Sequence, residues 1–265
     1  MKLPVSVGTS KPSRIWPRAR SSRAEPGPRG PAEDAGCGIL RSRCLAVLDL
    51  YCLGAARLSP LPSPPQMTRV RARLASGNKH KLRELRAILP GWDIEAADIE
   101  EFPDETGETF YENARAKASY GREMAVSDEW VLGEDSGLEV QGLGGRPGIR
   151  SARYAGPDAT DEENVAKLLG ELTGHNGNAR RARYVCELVC IAPDDEEFRG
   201  SGILEGRIAE QARGSGGFGY DPVFVPVGEE RTVAELGDEW KREWSHRARA
   251  AHALRGAVGA ARSAL

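Results

Sequence analysis

No stretch of the 265-residue chain approaches the ~18 consecutive apolar residues of a membrane-spanning helix, so no membrane partner is expected. The apolar patch at 45–53 (LAVLDLYCL) is too short. Cysteine is sparse. The five copies (Cys37, Cys44, Cys52, Cys186 and Cys190) are an odd number without framework spacing. That usage predicts a reducing compartment, the cytoplasm, and no disulfide scaffold. CxxC-type pairs with partners are missing, which excludes a zinc module. A large net charge is missing too. At −2 the chain is not basic throughout, which argues against nucleic acid as its partner. A Walker A loop is absent. The Gly-rich run from Gly214 contains G-x-G-x-x-G, but Asp221-Pro222 and the apolar run 223–225 follow it as loop and strand. A dinucleotide fingerprint needs a helix there.

What is present divides in two. Residues 1–66 are rich in Pro, Arg, Ser and Gly and hold ten Lys/Arg against four Asp/Glu, which leaves the remainder acidic. Such a segment reads as a transit peptide, as a basic tail for nucleic acid, or as sequence outside the natural protein, with Met67 as the start. The last is preferred. Met67 directly precedes the first strand-like run, and 1–66 has too little apolar patterning to fold. SPLPSPPQ (59–66) reads as an extended linker.

From Val70 the pattern is globular. Val70–Ala75 alternates as a strand, and a turn at 76–81 and a helix over 82–89 follow, with Pro90-Gly91 as the stop. A strand, a Gly-containing turn and a helix start can cradle an anion, with Lys81 adding charge; alone this is an ordinary turn. Residues 92–97 form a second strand. The acid-dense run 98–108 reads mostly as a solvated loop. A helix is expected over 109–124, with Thr109 and Glu112 as its capping box, so Glu105 is better placed than Glu112 to face a cleft. The run VLGEDSGLEV (131–140) starts as a buried strand and breaks at Glu134-Asp135-Ser136-Gly137. Alone this reads as a solvated turn between two strands, but adjacent carboxylates disfavour each other's ionisation unless a cation sits between them. Arg153 can reach a phosphate. A helix over 158–172 and strands over 184–192 and 198–208 follow, with Cys186 and Cys190 as core thiols and Gly202 and Gly206 as bends or bulges. Phe218 and Tyr220, in their Gly-rich loop, suit a flat ligand. Ser245 can cap a final helix through Ala264. His246 and Arg247 in its first turn run against the helix dipole and point to an anion or an electron-rich ring edge nearby.

Together, SGNKHK (76–81), ETGETFYENA (105–114), EDSGLEV (134–140), LGGRPGIRSARYAG (143–156), GGFGYDPVF (216–224) and SHRARA (245–250) resemble the inosine/xanthosine triphosphate pyrophosphatase family. The resemblance covers the chain from about Val70 onward and leaves 1–66 outside a catalytic domain at 67–265. It implies an α/β fold: an elongated, curved mixed sheet flanked by helices, with two lobes and a central nucleotide-binding cleft. It implies a homodimer and the reaction NTP + H2O → NMP + pyrophosphate, with Mg2+, on ITP, dITP and XTP. Ser76, Gly77, Asn78, Lys79, His80 and Lys81 would hold the phosphates. Glu105 and Asp135 would serve the metal, with Asp135 also the base for the attacking water. Ser136 would contact substrate. Phe218, Gly219, Tyr220 and Asp221 would lie against base and sugar, and Lys241, His246 and Arg247 would reach the base. The chain departs from the family pattern at Glu134, where Asp is usual, at His80, where Gly is common, and at Arg242-Glu243-Trp244, which replaces an Asn-Arg-aliphatic run. Two alternatives remain: a pyrophosphatase for other modified nucleotides, and a nucleotide-binding module without turnover.

Overall fold

The computed structural model describes residues 70–263, apart from residues 100, 103 and 127. The readings of 1–66, of Met67 as the start and of Ala264 as the last helical residue lie outside the described residues. Six strands form one mixed sheet: β1 (Val70–Ala75), β2 (Trp92–Ala96), β3 (Trp130–Val140), β4 (Arg181–Ile191), β5 (Glu197–Ile208) and β6 (Phe224–Pro226). Their order is β2-β1-β3-β4-β5-β6. β1 runs parallel to both β2 and β3, and the other pairings are antiparallel. The helices are α1 (Lys79–Ile88), α2 (Phe110–Met124), α3 (Asp161–Glu171), α4 (Val233–Trp244) and α5 (His246–Ser263). Among the described residues no helix is long and apolar enough to cross a membrane.

Local chemistry sets most boundaries. Asn78 caps α1, its Oδ1 accepting from the amides of His80 (2.9 Å) and Lys81 (3.2 Å). The helix therefore begins at Lys79 rather than at 82. Thr109 and Glu112 form the expected capping box of α2. Thr160 and Glu163 form another, which moves the start of α3 from 158 to Asp161.

Two expectations fail. β3 does not break at Glu134. It pairs with β4 residue by residue from Val131 to Val140. Nor are Gly202 and Gly206 bulges, because β5 keeps one-to-one register with β4 throughout. The glycines on its inner face instead admit close neighbours. A Cβ at Gly200 would lie 2.1 Å from the Ala250 carbonyl oxygen, one at Gly202 2.0 Å from that of His246, and one at Gly206 2.4 Å from that of Val225. α5 thus rests directly on β5 at Gly200 and Gly202. Similarly, α2 rests on β3 at Gly133, where a Cβ would meet the Ala114 carbonyl oxygen at 2.0 Å.

Among the described residues two large apolar clusters form, beside a small third of Ala114, Ala118, Val189 and Ile191. One gathers Leu74, Leu85, Ile94, Leu132, Leu188, Phe198 and Leu254. Cys186 and Cys190 belong to it, as expected of core thiols. The other gathers Leu138, Val140, Leu168, Leu172, Leu204, Phe224 and Val233. β3 passes from the first (Leu132) to the second (Leu138). Its polar residues Glu134, Asp135 and Ser136 fall between them, and the cleft opens there.

Candidate active site

Side chains alternate along a strand, so neighbours in sequence face opposite sides. Glu134 and Asp135 are therefore not a side-by-side pair competing for one cation. Each has its own lysine. Glu134 and Ser136 share the face toward α1 and α5. Lys81 Nζ lies 2.5 Å from Glu134 Oε2, and Arg247 Nη2 lies 3.0 Å from Glu134 Oε1. Arg247 Nη2 also donates to Ser136 Oγ at 3.0 Å. Asp135 faces α2. Its Oδ1 accepts from Lys117 Nζ (3.1 Å) and its Oδ2 from Asn113 Nδ2 (3.2 Å). Lys117 Nζ also pairs with Glu105, whose other oxygen accepts from Arg153 Nη1 at 2.5 Å. Arg153, read from the sequence as a phosphate contact, is thus engaged by a carboxylate.

The pairing decides the ionisation. Burial alone would raise the Glu134 carboxyl, but Lys81 and Arg247 hold it well below the usual range. At Asp135 burial prevails and its pKa is raised, although Lys117 and Lys81 oppose the rise. Glu105 is raised by burial, then brought below its ordinary value by Lys117 and Arg153. Lys117 would be lowered by burial and is instead raised, chiefly by Asp135 and Glu105.

A cleft of about 590 Å³ lies on the Ser136 side. Of the residues singled out in the sequence, Asn78, Lys81, Ser136, Phe218, Gly219, Tyr220, Asp221, Lys241, His246 and Arg247 line it. Ser76, Gly77, Lys79 and His80 do not, although they belong to the adjoining turn and helix start. His80 turns its ring onto Phe218. Glu105 and Asp135 sit together on the α2 side of β3, outside this lining.

The cleft floor is a ladder of alternating charge. Arg247 pairs with Glu84, Glu84 pairs with Lys241, and Lys241 Nζ reaches Asp221 Oδ2 at 2.7 Å. Tyr184 donates its hydroxyl to Asp221 Oδ1 (3.3 Å) and stacks its ring on His246 at 4.5 Å. Burial, then Arg247 and Lys241, push the His246 imidazole well below its ordinary pKa, so it is neutral. Its Nδ1 and the Nε of Arg247 are buried without a hydrogen-bond partner. Buried polar atoms rarely stay unpaired, and both residues line the cleft.

Glu84, Asn113 and Lys117 are the site residues that sequence reasoning missed. Glu84 and Lys117 stand alone on helices with no local pattern around them, whereas Asn113 lies within ETGETFYENA (105–114). Asn113 carried the one available signal, a polar residue of low helix propensity inside a helix. It is buried, and its Oδ1 accepts from the Gly107 amide at 2.9 Å. The frame of Lys241 also went unread. It sits on α4, whose N-terminus has a capping box of Thr232 and Glu235.

Glu105 and Asp135, the expected metal ligands, are oxygen donors converging on the Lys117 ammonium. Among the described residues, however, no group of three or more His, Cys, Asp or Glu is gathered to hold an ion. A two-carboxylate donor set suits a hard cation that completes its shell with phosphate oxygens and water, as Mg2+ commonly does.

The model of the Ham1 family matches residues 72–257, which carry every one of these side chains. The chain belongs to the Ham1 family. Among its relatives, a dITP/XTP pyrophosphatase of Bdellovibrio bacteriovorus is 47% identical over 187 residues, covering 68% of this chain and 94% of that protein. One of Bacillus subtilis is 42% identical over 180 residues, covering 66% and 90%. Two solved structures superpose on the fold. The Ham1 protein of Staphylococcus aureus does so with a TM-score of 0.64 and 36% identity, over 72% of this chain and 99% of that one. The Mycobacterium abscessus nucleoside-triphosphatase / dITP/XTP pyrophosphatase gives 0.56 and 38%, over 70% and 97%. The mixed sheet with flanking helices is thus the architecture of solved Ham1 proteins, as the resemblance implied. Residues 1–66 lie outside the Ham1 match.

Proposed function

We propose that this Ham1 protein hydrolyses non-standard purine nucleoside triphosphates (ITP, dITP and XTP) to the monophosphate and pyrophosphate, with Mg2+ as its cofactor. The observation that carries the reading is the pair of orphaned buried atoms, His246 Nδ1 and Arg247 Nε, in the wall of a cleft beside a fixed aromatic ring. A 6-oxo purine stacked on Phe218 presents a carbonyl that accepts from Arg247. Adenine presents an amino group, leaving a buried donor unpaired at a cost of about 1–3 kcal/mol.

Ser76, Gly77, Asn78, Lys79 and Lys81 are the phosphate end of this reading. The amides of His80 and Lys81 already serve the Asn78 cap, so phosphate contact there falls to the Lys81 ammonium and the remaining amides. Asp135 is the general base. Its raised pKa brings it nearer to the working pH than an ordinary aspartate, which suits proton removal from the water attacking phosphorus. Asn113 and Lys117 fix the orientation of that carboxylate. Glu105 and Asp135 would hold Mg2+, which lowers the charge at phosphorus and the pKa of water. The same reading carries a homodimer in the cytoplasm, with 67–265 as the catalytic unit.

Pyrophosphate release from ITP, XTP, GTP and ATP tests the reading. By the 6-oxo contact ITP and XTP should lead ATP by at least tenfold; equal rates on all four would sink the selectivity. Extending the panel to dTTP and UTP separates the alternative of a pyrimidine-directed enzyme. Asp135→Asn should lower kcat by about 10²-fold or more with an unchanged melting curve. Near-full activity in that variant would dismiss Asp135 as the base.

A further inference from the structure

β4 sends one aromatic side chain into the cleft wall. Tyr184 is buried and lines the cleft, although the sequence marks it only as the start of a strand run. Two different parts of it touch the residues that face a base. Its hydroxyl donates to Asp221 Oδ1 at 3.3 Å. Burial, then the facing Asp221 carboxylate, push the phenol well above its ordinary pKa, so it keeps its proton and donates. Its ring lies nearly flat on the His246 imidazole, with centroids 4.5 Å apart and planes 11° apart. Phe224 of β6 packs against the same ring at 4.5 Å.

The two contacts serve different halves of the cleft. Asp221 supports the stacking side. Its Oδ2 accepts from the Phe218 amide at 3.0 Å and from Lys241 Nζ at 2.7 Å. The Tyr184 hydroxyl fills the other oxygen, so donors on both oxygens fix the carboxylate. Lys241 has a second hold, on Glu84. His246 belongs to the reading side. Its Nδ1 is buried without a partner, and among the described residues no hydrogen bond holds the imidazole. The stacked tyrosine is the contact that sets its plane.

We propose that Tyr184 is a positioning residue that holds the two halves of the base site separately: its hydroxyl, through Asp221, steadies the stacking ring of Phe218, and its own ring sets the plane of His246. Every base has a π-face, so what the stacking half contributes is common to two purines and cancels from their ratio. The reading half does not cancel. A 6-oxo and a 6-amino purine present opposite hydrogen-bonding groups to His246 and Arg247. The hydroxyl therefore supports affinity, and the ring supports selectivity as well. The inference rests on the cleft being the base site, and its test separates the two.

The experiment measures the competitive Ki of IMP and of AMP against ITP hydrolysis in wild type, Tyr184→Phe and Tyr184→Leu. Tyr184→Phe keeps the ring and loses the hydroxyl. Both constants should rise about fivefold, the size of one hydrogen bond, while their ratio stays within about twofold of wild type. Tyr184→Leu loses the ring too, and the AMP/IMP ratio should fall about fivefold. Two inhibitors read on one sample share the same folded fraction, so the ratio is blind to lost stability. Unchanged constants in Tyr184→Phe would overturn the proposal, as would a wild-type ratio in Tyr184→Leu. So would a ratio that already collapses in Tyr184→Phe, because the halves would then not be separate. Equal constants for IMP and AMP in the wild type would instead fell the base-site reading, and the ring's part with it; Tyr184→Phe would still decide the hydroxyl's part.

Discussion

Gly202→Ala tests whether the bare face of β5 places the base-reading side chains. The added methyl would sit 2.0 Å from the carbonyl oxygen of His246 and 2.5 Å from the amide of Ala250. Both are backbone atoms of α5, so neither can swing aside. Reaching an ordinary contact of about 3.4 Å requires the helix to retreat by more than ~1 Å. Overpacking of this kind costs ~1–3 kcal/mol. At about 2–4 °C per kcal/mol for a domain of this size, the melting temperature should drop by about 2–12 °C. The functional cost is larger. His246 and Arg247 open α5, and Arg247 holds Glu134, Ser136 and Glu84 at once. Misplacing a site by 1 Å can cost about 10²-fold in rate, so kcat/KM for ITP should fall by that order. Differential scanning calorimetry and pyrophosphate release read the two effects on one sample. Gly170→Ala is the control. Gly170 is an exposed residue of α3 at which a Cβ meets nothing within 4 Å, so the same change there should stabilise by ~0.5–1 kcal/mol. Wild-type melting and wild-type turnover in Gly202→Ala would refute the argument that close helix–strand approach positions Arg247.

Lys117→Met should act through Asp135. Lys117 lowers a carboxyl that burial raises, so removing the ammonium moves the acid limb of the kcat/KM profile to higher pH. It also leaves Asp135 and Glu105 buried without that partner, at ~3 kcal/mol of stability by urea unfolding at pH 7; an unmoved acid limb would dismiss Lys117 as the neighbour that tunes Asp135. His246 makes stability depend on pH in a known direction. Its folded pKa lies well below the ordinary 6.5, so the unfolded chain binds the extra proton. Stability is full above about pH 6.5 and falls as pH drops below it, by up to ~1.4 kcal/mol per unit. His246→Gln should remove that slope, and a slope that persists would assign it to other groups.

The local grammar of the chain was legible. Alternation marked β1, the Thr109–Glu112 box marked the start of α2, and Ser245 caps α5 by accepting from the Ala248 amide at 3.1 Å. The failures share one cause, which is distance along the chain. Glu134 to Gly137 looked like a turn because nothing nearby neutralises its charge. The strand continues because Lys81, Lys117 and Arg247 arrive from three different helices. Gly202 looked like a defect because the helix that needs its bare face lies more than forty residues onward, and Gly206 because the β6 backbone that approaches it comes from Val225. α4 escaped notice because Gly237, at φ 83°, interrupts its pattern, although its capping box was there to be read. The residues that line the cleft were more legible than those that hold them. The former cluster in short motifs, whereas Glu84 and Lys117 stand singly on helices.

The pairing of the cleft's cations has a consequence for how a triphosphate enters. Lys81, Lys117, Lys241 and Arg247 each already hold a carboxylate. Apart from the exposed Lys79, an arriving polyanion finds the cations of the cleft engaged. It must take a cation from an existing partner, and the carboxylate left behind must be re-partnered in the same event. Capture is therefore an exchange of counter-ions at close contact, with little long-range pull. Such a cleft is slow to be fouled by the many phosphorylated compounds around it, because a ligand unable to complete the exchange has nothing to hold on to.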